Sequence, residues 1–285
     1  MSRNRERSGG VQQHDSSPPP QVMQNEGAAS FSFVVPTEFV ELPSQGRFYP
    51  EGHILHGEDS IEIRQMTAKE EDLLTSRTLL KKGVALDRVV ENIIVNKRID
   101  PNSLLIGDRN AIIVATRVSG YGNEYNTRVT CPSCMTAQEY SFDLLKATTH
   151  HGIEGGEIDV ADNNDGTFNI TLPKTQVSVT FRLLTGSDEK KLVSGVEADR
   201  KQKTHEKNVT RQIVNSVTAV NGDSSAEAIN YLVQNIPSTD SRHLRLAYKL
   251  VAPNIDLSQH FACAECDFAQ DMEVPLNADF FWPDR

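Results

Sequence analysis

The spacing of apolar positions changes period several times along the chain. Ile61 and Ile63 alternate with Glu62 and Arg64, the period-two pattern of a half-buried strand. Thr67 and Glu70 follow as a capping box: the threonine accepts from an orphan amide while the glutamate reaches back. A helix is predicted from there, with Leu73, Leu74, Leu79 and Leu80 on its buried stripe and Gly83 as its stop. Val89, Val90, Ile93 and Ile94 have the i, i+4 spacing of a second helix. Asp100-Pro101 interrupts the chain. A third helix, roughly Asp108 to Val118, buries Ile112, Ala115 and Val118, and Gly120-Tyr121-Gly122 ends it. Asn126 to Thr130 then leads as a strand into Cys131.

The same order of patterns occurs again. Asn163-Asn164-Asp165-Gly166 is a turn signal between Ile158–Val160 and Phe168–Ile170. Val177, Val179 and Phe181 alternate with polar residues. Helices are predicted near Ser187 to Arg200, Glu206 to Val220, Ala226 to Gln234 and Ser238 to Val251. Asp256 to Phe261 delivers the chain to Cys263. Arg64, Thr67 and Glu70 have counterparts in Arg182, Thr185 and Asp188, and Ala137-Gln138 matches Ala269-Gln270. Two matching stretches in one order predict a duplicated α+β unit of strand, helices and Cys-x-x-Cys hairpin. Lys201 to His205 and Asn221 to Ser224 are expected to absorb the extra length of the second copy as loops. The predicted organisation is a disordered tail over 1–30, a first copy over 31–150 and a second over 151–285. Within the first copy, Phe31 to Val35 reads as an opening strand, and the tail's Pro, Ser, Gln and Asn offer little to bury.

Composition narrows the partners. With a net charge of −10, the chain is repelled by phosphate backbones, which disfavours nucleic acid. No apolar run approaches the roughly 20 residues of a membrane span, and Met1 to Arg7 lacks the apolar stretch of a secretory signal. A reducing cytoplasm is the expected setting, where paired cysteines read as metal ligands rather than disulfides.

The chain has four cysteines, Cys131, Cys134, Cys263 and Cys266, in two Cys-x-x-Cys pairs. Each pair is half of a four-thiolate site, so one shared, zinc-ribbon-like structural zinc is predicted to tie the two copies together. A closed four-sulfur site leaves no position for water, which argues against hydrolytic zinc chemistry. An iron–sulfur centre, or thiols that never meet, are the other outcomes the spacing allows. Glu265, Asp267, Asp271, Glu273 and Asp279 surround the second knuckle, the wrong sign for a ribbon that grips nucleic acid. Phe280-Phe281-Trp282-Pro283 is apolar enough to fold onto the core or to anchor in a partner. No catalytic constellation, phosphate-binding loop or small-molecule site is evident. His150 and His151, with Glu154 and Glu157, read as a solvated loop.

Leu42-Pro-Ser-Gln-Gly-Arg-Phe-Tyr-Pro50, Ile61 to Leu73 and Tyr125 to Cys134 together resemble the T4-type bacteriophage baseplate protein family, over roughly residues 35 to 285. The resemblance implies a non-enzymatic tail protein that builds or forms the central hub of a contractile-tail baseplate. It implies other baseplate and hub proteins as partners, and a location in the virion tail or, during assembly, the host cytoplasm. Two other functions stay open on the residues alone: a zinc-ribbon regulator acting on nucleic acid, and a thiol–disulfide enzyme using Cys-x-x-Cys.

Overall fold

The computed structural model describes residues 35–81, 83–152, 158–274 and 278–281. The expected tail, the strand start at Phe31, Glu154, Glu157 and Trp282 lie outside them. Its elements run in an order set by the alternation of patterns described above. First come β1 (Thr37–Glu41), β2 (Ser60–Arg64), α1 (Ala68–Thr75), α2 (Arg77–Lys81), α3 (Ala85–Ile93) and α4 (Ile106–Tyr121). Next are β3 (Glu124–Thr130), β4 (Ala137–Asp143), β5 (Thr148–His150), β6 (Ala161–Asp162), β7 (Thr167–Thr171) and β8 (Ser178–Arg182). Then follow α5 (Gly186–Gln202), α6 (Asn208–Ser216), β9 (Val217–Val220), α7 (Ala226–Asn235) and α8 (Ser238–Val251). Last are β10 (Asn254–Asp256), β11 (Ser258–Ala262) and β12 (Ala269–Glu273). The class is α+β, with four two-stranded sheets and one of four strands, β6-β7-β8-β9, among the described residues.

Each half opens with an antiparallel hairpin in the same register. Thr37 pairs with Arg64 and Glu41 with Ser60 in β1–β2; Thr167 pairs with Arg182 and Thr171 with Ser178 in β7–β8. The strand-end arginine then reaches the acid in the first turn of the next helix. Arg64 bonds Glu70 and Arg182 bonds Asp188 at 2.7 Å, and Thr67 and Thr185 complete capping boxes with those acids. Burial alone would raise the Glu70 carboxyl, but Arg64 and Thr67 outweigh it and hold the group down at about 2. Asp188 is likewise held below the usual carboxylate range, because the donors Arg182 and Thr185 overcome its burial.

The expected first helix breaks in two. Ser76 is extended (φ −65°, ψ 106°) and α2 restarts directly after it. The expected helix over Glu206 to Val220 is helical only to Ser216, since Val217–Val220 pairs with β8 as β9. In the first half an isolated bridge between Ile63 and Ile94 sits at the matching place, directly after α3. The extra length of the second half falls partly in loops around Thr204 and Asn221, and partly in the helix α7.

One hydrophobic cluster contains residues of both halves. Phe48 packs on Phe168, which stacks on Phe181, and Phe181 meets Tyr248. Each such ring contributes about 1.5–3 kcal/mol by leaving water. Gly107 lets α4 touch the chain entering β10: a Cβ there would stand 1.9 Å from the Pro253 carbonyl oxygen. In the turn after β1, Gly46 has φ +68°, and a Cβ would meet the backbone of Leu55 and Glu58 within 2.6 Å. Phe280 and Phe281 are buried rather than offered to a partner. The fully buried Arg117 donates from Nε to the Phe280 carbonyl (2.7 Å) and from its Nη atoms to those of Gly122 and Glu124, which pins this segment to α4.

Candidate metal centre

Two tight turns and the strands that flank them build the site. β3 pairs with β4 from Glu124↔Asp143 to Thr130↔Ala137, and Cys131 and Cys134 lie in the connection. β11 pairs with β12 from Ser258↔Glu273 to Ala262↔Ala269, and Cys263 and Cys266 lie in theirs. Both connections close alike: the Cys131 amide donates to Thr136 O and the Cys263 amide to Phe268 O, each at 2.9 Å. Met135 takes φ +61° while its amide donates to Cys131 O, which turns the first knuckle back on itself. In the second knuckle the Glu265 amide donates to Cys263 Sγ at 3.4 Å.

The two hairpins are laced side by side. The Tyr140 hydroxyl donates to His260 O (2.8 Å), and Gln138 takes the Ala264 amide at 2.9 Å and donates to Ala262 O. Gln259 accepts from the Asp143 amide and donates to its carbonyl. Beneath them Tyr140 packs on Phe142 and Phe261, and Phe261 on Phe268. β5 pairs with β10 as a further tie between the halves, from Thr148↔Asp256 to His150↔Asn254.

This lacing brings all four sequence-predicted sulfurs together, each Sγ within 4.8 Å of the others. The short pairs cross between knuckles, Cys131 to Cys266 at 3.8 Å and Cys134 to Cys263 at 3.7 Å. A disulfide needs about 2.05 Å. Four thiolates about 2.3 Å from a tetrahedral ion stand about 3.8 Å apart, so the spacing fits an ion at their centre. Cys131 is buried, Cys134 exposed, and the other two are half-buried. Thr136, through its hydroxyl and amide, draws the Cys134 thiol down to about 6. Cys266 moves up to about 12: the Phe268 amide favours its thiolate, but burial and the three neighbouring sulfurs outweigh it. Sharing of negative charge among crowded sulfurs is the load a divalent cation relieves. The acidic side chains Glu265, Asp267, Asp271 and Glu273 are exposed, and Asp271 bonds His260 Nδ1 at 3.3 Å.

The histidines predicted in a solvated loop have structural roles. His150 Nε2 donates to Leu250 O and His151 Nδ1 to Pro43 O, while Arg47 donates to His151 O at 2.6 Å. Sequence reasoning missed several buried polar anchors. Asp108 accepts from the Ser44 amide and hydroxyl and from the Tyr49 hydroxyl. Asp240 accepts from the Lys174 and Thr175 amides and the Thr175 hydroxyl. Arg109 of α4 bridges Asp87 of α3 (2.6 Å) and Glu189 of α5, and Lys190 adds a bond to Asp87 at 3.0 Å. The Leu-Pro pairs at 42–43 and 172–173, each just after a strand, were the signal available for the two aspartate anchors.

Among the described residues, no helix is long and apolar enough to cross a membrane. No curated protein and no solved structure matches the chain. Residues 35–282, which include both knuckles and the hairpins that carry them, match the family described as T4 bacteriophage base plate protein, and the chain belongs to that family.

Proposed function

We propose that this protein is a non-enzymatic component of the central hub of a contractile-tail baseplate, acting in its assembly or its structure. It works as a rigid adaptor between other tail proteins, in the virion tail or in the host cytoplasm while the tail is built. In this reading a structural zinc is held by Cys131, Cys134, Cys263 and Cys266, in a zinc-ribbon-like pair of hairpins. When bound, the ion supplies a tetrahedral cross-link between two copies of a duplicated unit, residues 31–150 and 151–285. The protein's own residues do the rest: Tyr140, Gln138 and Gln259 hold the hairpins in register, and Arg109 with Asp87 and Glu189 ties the helices of one half to the other.

The observation that carries the reading is the convergence of four sulfurs, two from either half, all within 4.8 Å and with two cross-knuckle pairs at the spacing of a tetrahedral ion's ligands. The shared hairpin register and paired Arg–acid capping boxes support duplication. Family membership supports the tail as the place of action. Metal analysis of the purified full chain is the test, together with mass spectrometry of isolated baseplates. About one zinc per chain and presence in baseplates or their assembly intermediates are expected. A metal-free protein with unchanged stability in chelator overturns the clamp, and absence from every assembly stage overturns the hub role.

A further inference from the structure

The two opening hairpins share a register, yet their outer edges differ. In the second half the Asn163–Gly166 turn folds β6 back onto β7, pairing Ala161 with Asn169 and Asp162 with Phe168. Among the described residues, β1 pairs with β2 alone. The middle residue of β7 and that of β1 make the contrast chemical. Asn169 bonds Asn163 and Thr180, whereas Phe39 in the same ladder position is 73 % exposed. Val95, also exposed, lies on the other side of β2, where its amide donates to the carbonyl of Glu62, the cross-strand partner of Phe39. A further observation asks for a donor: Glu38 Oε1 on β1 is buried with no hydrogen-bond partner. Glu38, Glu41 and Glu62 make this edge acidic.

We propose that the free edge of β1 is a docking strand, completed by an extended antiparallel segment of another tail subunit. Its side chains alternate between an apolar residue that covers Phe39 and a lysine or arginine that reaches Glu38. Unpaired backbone groups of an edge strand supply the affinity, and alternate side chains the choice of partner. The molecule contains its own template for the geometry in β6 on β7. The Gln65 amide donates to Pro36 O, so the ladder runs straight on through Pro36 where the second half has a turn. Pairing with β1 of a second copy is disfavoured, since Thr37–Glu41 offers two glutamates and no cation to Glu38. The class of partner rests on membership of the baseplate family; the proposal is independent of the metal.

The test is photo-crosslinking of the full-length chain carrying Phe39→p-benzoylphenylalanine, expressed in cells that are assembling tails, with the linked peptides sequenced. A link to a segment of another tail subunit with alternating apolar and basic residues is the expected result. Links only to the chain's own residues before Val35, links to β1 of a second copy, or no protein link each overturn it. In parallel, Phe39→Lys should keep the wild-type melting temperature yet enter baseplates at least tenfold less than wild type. Equal incorporation of the two also overturns the proposal. Zinc content, measured on the same samples, reads the clamp separately.

Discussion

Asp108 and Asp240 stand the same number of residues ahead of Cys131 and Cys263, each in the first turn of the last long helix before its knuckle. Both are fully buried, and both take three hydrogen bonds from the loop after a Leu-Pro pair. Their charge is managed differently. Burial pushes the Asp108 carboxyl up, and outweighs the pull of one amide and two hydroxyls from Ser44 and Tyr49, which are themselves buried. At Asp240 burial opposes ionisation too. There Thr175, the Lys174 amide and nearby His243 prevail and hold the carboxyl below its ordinary value. The same anchor position can thus be filled by a costly carboxylate or a comfortable one. Backbone topology decides where the acid sits, and the local supply of donors decides what its charge costs.

The strongest way to break the proposed link between the halves lies at the candidate metal site. Cys131→Ser and Cys263→Ser should each abolish zinc binding and lower stability by about 4 kcal/mol, the linkage expected for an ion present at about a thousand times its dissociation constant. Thermal melts with and without chelator, beside metal analysis, check this. Full retention of zinc by either variant would mean that one knuckle suffices.

Next in size is the anchor comparison. Asp108→Ala leaves Ser44 and Tyr49 as buried donors without an acceptor and should cost about 3 kcal/mol. Asp240→Ala, whose loop donors lie nearer the surface, should cost about 1–2 kcal/mol. Denaturant unfolding at neutral pH measures both, and the reverse order would refute the account of their surroundings.

Acid sharpens the comparison of the capping pairs. Glu70 is held at about 2 against an ordinary 4.5. A folded-state value below the unfolded one stabilises fully above pH 4.5 and is lost as pH falls from about 4.5 to 2. The shift corresponds to at most about 3 kcal/mol at one pKa unit per 1.4 kcal/mol. Asp188 acts with the same sign. Glu70→Gln should flatten the loss of stability across that window while leaving the Asp188 contribution, as read by urea midpoints at several pH values. The smallest effects belong to Thr67→Ala and Thr185→Ala, about 1 kcal/mol each by loss of a helix cap. Unequal costs would show that the two boxes are not equivalent.

How much could be read in advance varies with the range of the forces involved. The capping box at Thr67, the bounds of α8 and the knuckle hairpins were legible, because each depends on residues a few positions apart. The meeting of the four cysteines was legible for a different reason, since paired thiols at Cys-x-x-Cys spacing point to a shared site by chemistry rather than by shape. β9 was not, because Val217 and Val220 continue the helical spacing of α6 and only the presence of β8 makes them a strand. Nor was the break at Ser76, a residue with no strong local signal.

Periodicity, caps and cysteine spacing by themselves determined that this protein is α+β and carries two Cys-x-x-Cys knuckles between paired strands. Only the tertiary structure decided that the halves share one core, that Arg117 seals Phe280 inside it, and that among the described residues β1 keeps a bare edge where β7 does not. The physical reason is distance along the chain. Propensity and capping act within a turn or two, whereas a buried cation, a joint core and an unpaired strand exist only once remote segments have met.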